Sequence, residues 1–162
     1  MTDADDAEQD FVSLREHSHA ALLATISAEG DPSASYAPIL WIDRYCYLFL
    51  SDLASHSANL RANPRLSLML LQPESEVTNA FARQRITLQG VVEVIGREQP
   101  EFEQVIAAFH QRFGQVMSVI EPLADFHLFR VELQSGQFVR GFGQAFRLSG
   151  ERLDRLEHIR PV

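Results

Sequence analysis

Residues 45–71 constrain this chain more than any other stretch, because they read strand, helix, strand with almost no slack. Residues 45–51 are apolar and aromatic and too short for a helix, which predicts a buried strand. Ser55 can cap a short helix carrying His56, Ala58, Leu60 and Arg61, since its hydroxyl can accept from the free amides of the first turn. Asn63-Pro64 ends that helix, because the residue before a proline is pushed out of the α region. Residues 66–71 form the next strand. The polar Ser55-His56-Ser57 helix start suits a charged ligand group. Taken alone, the stretch is equally an ordinary crossover with a surface histidine.

Short turns organise the rest. Residues 1–10 are acidic and read as a frayed, disordered lead-in to a helix over 11–19. Residues 20–27 form a first strand, Glu29-Gly30-Asp31-Pro32 a tight turn, and 34–42 a second strand that Asp43-Arg44 turns into the Tyr45 strand. The three strands form an antiparallel meander. Residues 83–95 read as a long strand in which Gly90 marks a bulge or bend. Residues 98–112 are a helix with Phe102, Val105, Ile106 and Phe109 on one face and Gly114 as its stop. Residues 126–133 are a strand, Ser135-Gly136 a turn, and 137–148 a strand with Gly141-Phe142-Gly143 in its middle. Residues 150–162 are a lightly docked tail. The fold class is mainly β with flanking helices: one domain over 1–162, built as an antiparallel barrel of six or seven strands.

Composition limits the chemistry. All fourteen basic residues are arginine, so Schiff-base and lysine acid–base catalysis are excluded. The arginines are planar, permanently charged forks suited to carboxylate or phosphate. A net charge of −8 opposes general nucleic-acid binding. Cys46 is the one cysteine, so no internal disulfide can form and a reducing, cytoplasmic setting is expected. No apolar run is long enough to span a membrane, and no grouping has zinc spacing.

The strand with Ala37-Pro38, the Ser55-His56-Ser57 helix, Asn63-Pro64-Arg65, residues 81–86 (FARQRI), residues 125–130 (DFHLFR) and residues 141–146 (GFGQAF) occur in an order that resembles one family. It is the heme-utilisation proteins of the HugZ/HutZ type, a branch of the FMN-binding split barrels related to pyridoxamine 5′-phosphate oxidase. The resemblance covers roughly residues 12–150 and implies a split-barrel homodimer that binds heme near its subunit interface. Several members degrade heme with dioxygen and a reductant. The flavin oxidases of the superfamily place an Arg-Lys pair where this chain has His56-Ser57, which weakens an FMN reading.

What the resemblance implies for individual residues is specific. Asp125 corresponds to a carboxylate that hydrogen-bonds the iron-ligating histidine, a contact that fixes the imidazole tautomer. His56 corresponds to an interface residue near the heme, and Arg85, with Arg83, to a grip on propionates. Gly141 and Gly143 would let backbone approach the macrocycle. The family's iron ligand lies in the tail, where this chain offers only His158. The alternatives stay open: an FMN oxidoreductase holding phosphate with Arg83, Arg85, Ser55 and Ser57, or a non-catalytic dimer. Each residue also has a plain structural role available, such as Arg83 and Arg85 pairing with Glu74 or Glu76.

Overall fold

The computed structural model describes residues 3–159. Nine antiparallel strands form one sheet: β1 (Ala20–Ile26), β2 (Pro32–Pro38), β3 (Leu40–Ile42), β4 (Tyr45–Ser51), β5 (Arg65–Leu71), β6 (Arg85–Ile95), β7 (Phe126–Gly141), β8 (Gln144–Ser149) and β9 (Arg155–His158). The helices are α1 (Asp3–His17), α2 (Ser55–Ala62), α3 (Pro100–Phe113) and α4 (Val116–Ile120). The antiparallel, mainly-β class is as expected; the strand count is nine rather than six or seven.

The neighbour order β2-β1-β5-β6-β7-β4-β3 explains why the sheet is a barrel. Its two ends, β2 and β3, are separated along the chain only by Ile39, so the edges are drawn together and the sheet curls closed. The expected single strand over 34–42 is therefore two strands, bending at Pro38-Ile39 to pair with β1 on one side and β4 on the other. Both antiparallel pairings of the expected meander are present, with its middle strand split at that bend.

Alternation along the strands sorts side chains into an interior and an outer face. Leu23, Cys46, Leu48, Leu68, Leu70, Ile86, Leu88, Phe129, Val131 and Phe138 fill the interior. Helix α1 adds Phe11 and Leu14 to this core, with Phe11 meeting Phe138 edge-on at 5.6 Å. Ala7 is buried in line with those two. This stripe carries the helix back to Asp3, so residues 3–10 are its first turns and not a frayed lead-in. Helix α2 contributes Leu60, and its Asn59 donates to Thr25 Oγ1 at 3.0 Å on β1.

The outer face is covered on one half only. Tyr47, Phe49, Leu128 and Ile95 pack under Phe102, Val105, Ile106 and Phe109 of α3, with Met117 of α4. No helix among the described residues covers the outer positions of β1, β2, β5 and the first half of β6. There Tyr36 is 64% exposed, Leu22 44% and Ile26 39%. No helix is long and apolar enough to cross a membrane.

Strand β7 corrects the expected C-terminal pattern. Ser135-Gly136 is not a turn but the middle of a sixteen-residue strand. The turn lies between Gly141 and Gln144, where β7 folds back onto β8. The tail adds the short strand β9, which pairs with β8.

Candidate functional site

The Ser55-His56-Ser57 segment opens α2, but Ala54 holds the N-cap position and no side chain caps the helix. Ser55 is exposed; the next two side chains turn inward. Ser57 is fully buried and donates its hydroxyl to the Ser51 carbonyl at 2.7 Å. His56 is 7% exposed, with Nδ1 3.0 Å from Ser35 Oγ on β2. Burial holds its imidazole below the ordinary histidine value. Within one protomer it is therefore an internally bonded histidine whose burial favours the neutral form.

Asp125 closes the loop before β7. Its carboxylate accepts from Ser51 Oγ at 2.6 Å, and its carbonyl accepts from the Asp52 amide at 2.8 Å. Asp52 is bonded in turn to His127 Nε2 at 2.9 Å and to Arg61 at 2.6 Å. Those two hydrogen bonds, His127 first, hold the Asp52 carboxyl below its ordinary range. One polar cluster thus ties β4, α2 and β7 together at this end of the barrel.

Arg83 and Arg85 are not the same-face strand pair that their spacing suggests. Arg83 caps the 3-10 turn Ala80–Ala82 and donates Nε to the Gln72 carbonyl at 2.9 Å. Arg85 opens β6 and donates one guanidinium nitrogen to the Arg83 carbonyl at 3.1 Å. Neither forms an ion pair with Glu74 or Glu76 among the described residues. Arg85 is registered with Leu71 and Val139, so it points to the uncovered outer face. Helix α1 braces this corner from behind: Asp10 accepts from Arg140 Nε at 2.7 Å and from Gln84 at 3.3 Å. No local pattern announces that tie, because its partners are 130 and 74 residues apart.

Gly141 ends β7 at a register shift against β8, where the expected bulge falls, and Gly143 lies in the β7–β8 turn. Gly143 has φ +67°, which an L side chain adopts only with strain, and a Cβ there would meet nothing within 4 Å. Phe142 between them is 70% exposed. Phe81, on the 3-10 turn that packs against β7, is 84% exposed. Two bare phenylalanines thus stand on the segments that flank the Arg85 corner, each inside a motif that carries the family resemblance. An open groove of about 500 Å³ lies further along the sheet, lined in part by Thr87, Gln89, Gln137 and Arg147.

His158 is exposed on β9, its ring 5.1 Å from Phe146 and edge-on to it. The row Ile86, Phe138, Phe146, His158 is in register, so His158 has interior parity, opposite to Arg85. Asp125 lies at the far end of β7, roughly 40 Å of extended strand from Phe138. Within one protomer, then, Arg85, His158 and Asp125 are not brought together. The remaining expected donors, Ser55 and Ser57, face solvent and the core respectively.

The pyridoxamine 5′-phosphate oxidase family pattern matches residues 6–140. Heme oxygenase HutZ of Vibrio cholerae is 36% identical over 152 residues, covering 94% of this chain and 86% of that protein. The crystal structure of HutZ, described there as a heme storage protein, has a TM-score of 0.76 at 34% identity, over 79% of this chain and 90% of that one. ChuZ of Campylobacter jejuni has a TM-score of 0.87 at 26% identity, over 99% of this chain and 65% of that one. By sequence and by barrel, this chain belongs to the pyridoxamine 5′-phosphate oxidase family, in its HutZ-type heme-utilisation branch.

Proposed function

We propose that this chain binds heme in the seam of a homodimer formed by the uncovered outer face of its barrel, and that it serves heme utilisation in a reducing compartment. The 36% identity to HutZ carries this reading. The geometry is consistent with it in three respects. The outer face is apolar and bare around Leu22, Ile26 and Tyr36, as a surface awaiting a second copy would be. Arg85 and Asp125 stand at opposite ends of the sheet, and a two-fold axis across that face brings opposite ends of two copies together. Arg85 keeps guanidinium donors for a propionate, and Phe81 and Phe142 offer apolar surface to a flat macrocycle.

HutZ carries two descriptions, oxygenase and storage protein. Among the described residues no histidine stands on the uncovered face, so holding heme is the reading that this arrangement serves best. Oxygen-dependent ring opening, with an external reductant, is the second reading. It rests on His158, whose exposed ring makes no hydrogen bond among the described residues and would reach the seam around the β8–β9 edge. FMN is less well served, because Ser57 has spent its hydroxyl inside the core and Ser55 faces solvent.

Hemin titration with sedimentation tests both parts. Wild type should sediment as a dimer and give a saturable Soret band. Tyr36→Asp should yield monomers that bind hemin at least tenfold more weakly. A monomeric wild type with unchanged hemin affinity would overturn the seam, and a flavin spectrum with no Soret band would overturn heme. Added dioxygen and reductant separate the two roles, since the Soret band persists for a holder and decays for an oxygenase. His158→Ala abolishes that decay if His158 ligates iron.

A further inference from the structure

A well-lined cleft lies away from the proposed seam. It is bounded by the C-terminal half of α1, by β3, by the end of α3 and by the segment 150–154, and encloses about 690 Å³. Three arginines from three distant parts of the chain meet there: Arg15, Arg112 and Arg152. Arg15 is half-buried on its floor, its guanidinium 4.4 Å above the Trp41 ring and one nitrogen 3.0 Å from the Arg152 carbonyl. It has no carboxylate within ion-pair distance among the described residues. Burial holds it below the ordinary guanidinium value, against the opposing pull of Asp154 and Glu16. Arg112 reaches only the Glu16 carbonyl, at 3.2 Å, and the exposed Arg152 side chain makes no hydrogen bond among the described residues.

Trp41 carries an unusual feature of its own. Trp41 Nε1 is the one sealed side-chain nitrogen or oxygen among the described residues that lacks a hydrogen-bond partner. Buried donors are almost always paired, so this one is an exception, but it is sealed from the open cleft and would meet a ligand only if the Trp41 ring shifted. Glu16, Asp43 and Asp154 also line the cleft, but all three are exposed at its rim and solvated. The desolvated charge beneath them is positive. The cleft is also many times larger than a bare inorganic anion, and Val12, Leu40 and Trp41 give it an apolar wall.

We propose that this cleft is a second ligand site, for a small organic anion whose carboxylate or phosphate pairs with Arg15, Arg112 and Arg152 while its apolar body rests on Val12, Leu40 and Trp41. The cleft is concave and has room for such a molecule, with an apolar wall on one side and charged groups round the rest of its lining. The site is independent of the heme reading and lies on other elements.

Trp41 is the only tryptophan in the chain, so its emission reports on this cleft alone. The probes are adenosine 5′-monophosphate, adenosine and inorganic phosphate, added to heme-free protein. The monophosphate should change the emission saturably, and each partial probe should act at least tenfold more weakly. Arg112→Ala and Arg152→Ala remove exposed side chains. Each should weaken the monophosphate at least fivefold, with hemin affinity and the circular dichroism spectrum unchanged. An aromatic carboxylate as a further probe distinguishes the anion: a stronger effect than the monophosphate assigns the site to carboxylates. Absence of any emission change with both anions, an effect that survives the double arginine variant, or equal potency of phosphate alone would overturn the proposal.

Discussion

His56 shows how a polar side chain at a helix start can be drawn into structural service. It is 7% exposed and bonded to Ser35, and burial holds it below its ordinary value. A histidine depressed in this way binds fewer protons folded than unfolded, between its folded pKa and the unfolded value of about 6.5. Stability from this group is therefore complete above about pH 6.5 and is lost as pH falls toward the depressed value, below which the dependence is flat. His56→Gln keeps a donor or acceptor for Ser35 but cannot titrate. Urea midpoints measured between about pH 5 and 7 should fall with acidity more steeply in wild type than in the variant. Equal slopes would mean that His56 is protonated as easily folded as unfolded. Cys46 belongs to the same class of residue: fully buried, with burial pushing its thiol pKa up, it fills space and is inert, as its apolar strand predicts.

Glycine carries most of the difference between strands that are readable in the sequence and strands that are not. Gly90 was expected to mark a bend, and the β6–β7 register does shift between Gln89 and Gly90. A Cβ at Gly90 would lie 2.6 Å from the Glu132 carbonyl oxygen and 2.8 Å from Val131 Cγ1, so backbone would have to move. Gly90→Ala should therefore destabilise the fold by about 1–3 kcal/mol, the usual cost of overpacking. A thermal midpoint unchanged within a degree or so would show that the bend relaxes freely. Ser135-Gly136 has the same composition as a turn but lies in mid-strand. There the glycine makes room for Leu88 and Leu148, whose methyls would each sit 2.7 Å from a Cβ. Composition cannot separate a glycine that bends the backbone from one that admits a neighbour's side chain. That is why the C-terminal hairpin was misplaced while α3, with its apolar stripe and its Gly114 stop, was placed to within two residues. The first turns of α1 were missed because one buried alanine, Ala7, is a weak local signal, although it extends the Phe11–Leu14 stripe.

At the scale of the whole molecule, a single barrel does not assemble the candidate residues. Family resemblance supplied their identities, but a strand-level reading could not show that Arg85 and His158 have opposite parity, or that Asp125 lies at the other end of β7. Such residues act together only if two copies contribute to one site, and mixing experiments measure this directly. In a two-fold dimer each seam pocket would take Arg85 from one copy and Asp125 from the other. Arg85→Ala and Asp125→Ala homodimers would then each have both pockets damaged. A heterodimer of the two variants would have one pocket with both lesions and one with neither. Unfolding and refolding an equal mixture should make about half the dimers hetero, so about a quarter of wild-type pockets should return. The readout is the amplitude of tight hemin binding in the Soret band, compared with each variant refolded alone. Recovery near that fraction requires a pocket shared between copies. No recovery above the separate variants, in a sample shown to contain heterodimers, would place both residues in the same pocket of one protomer, or neither in any pocket.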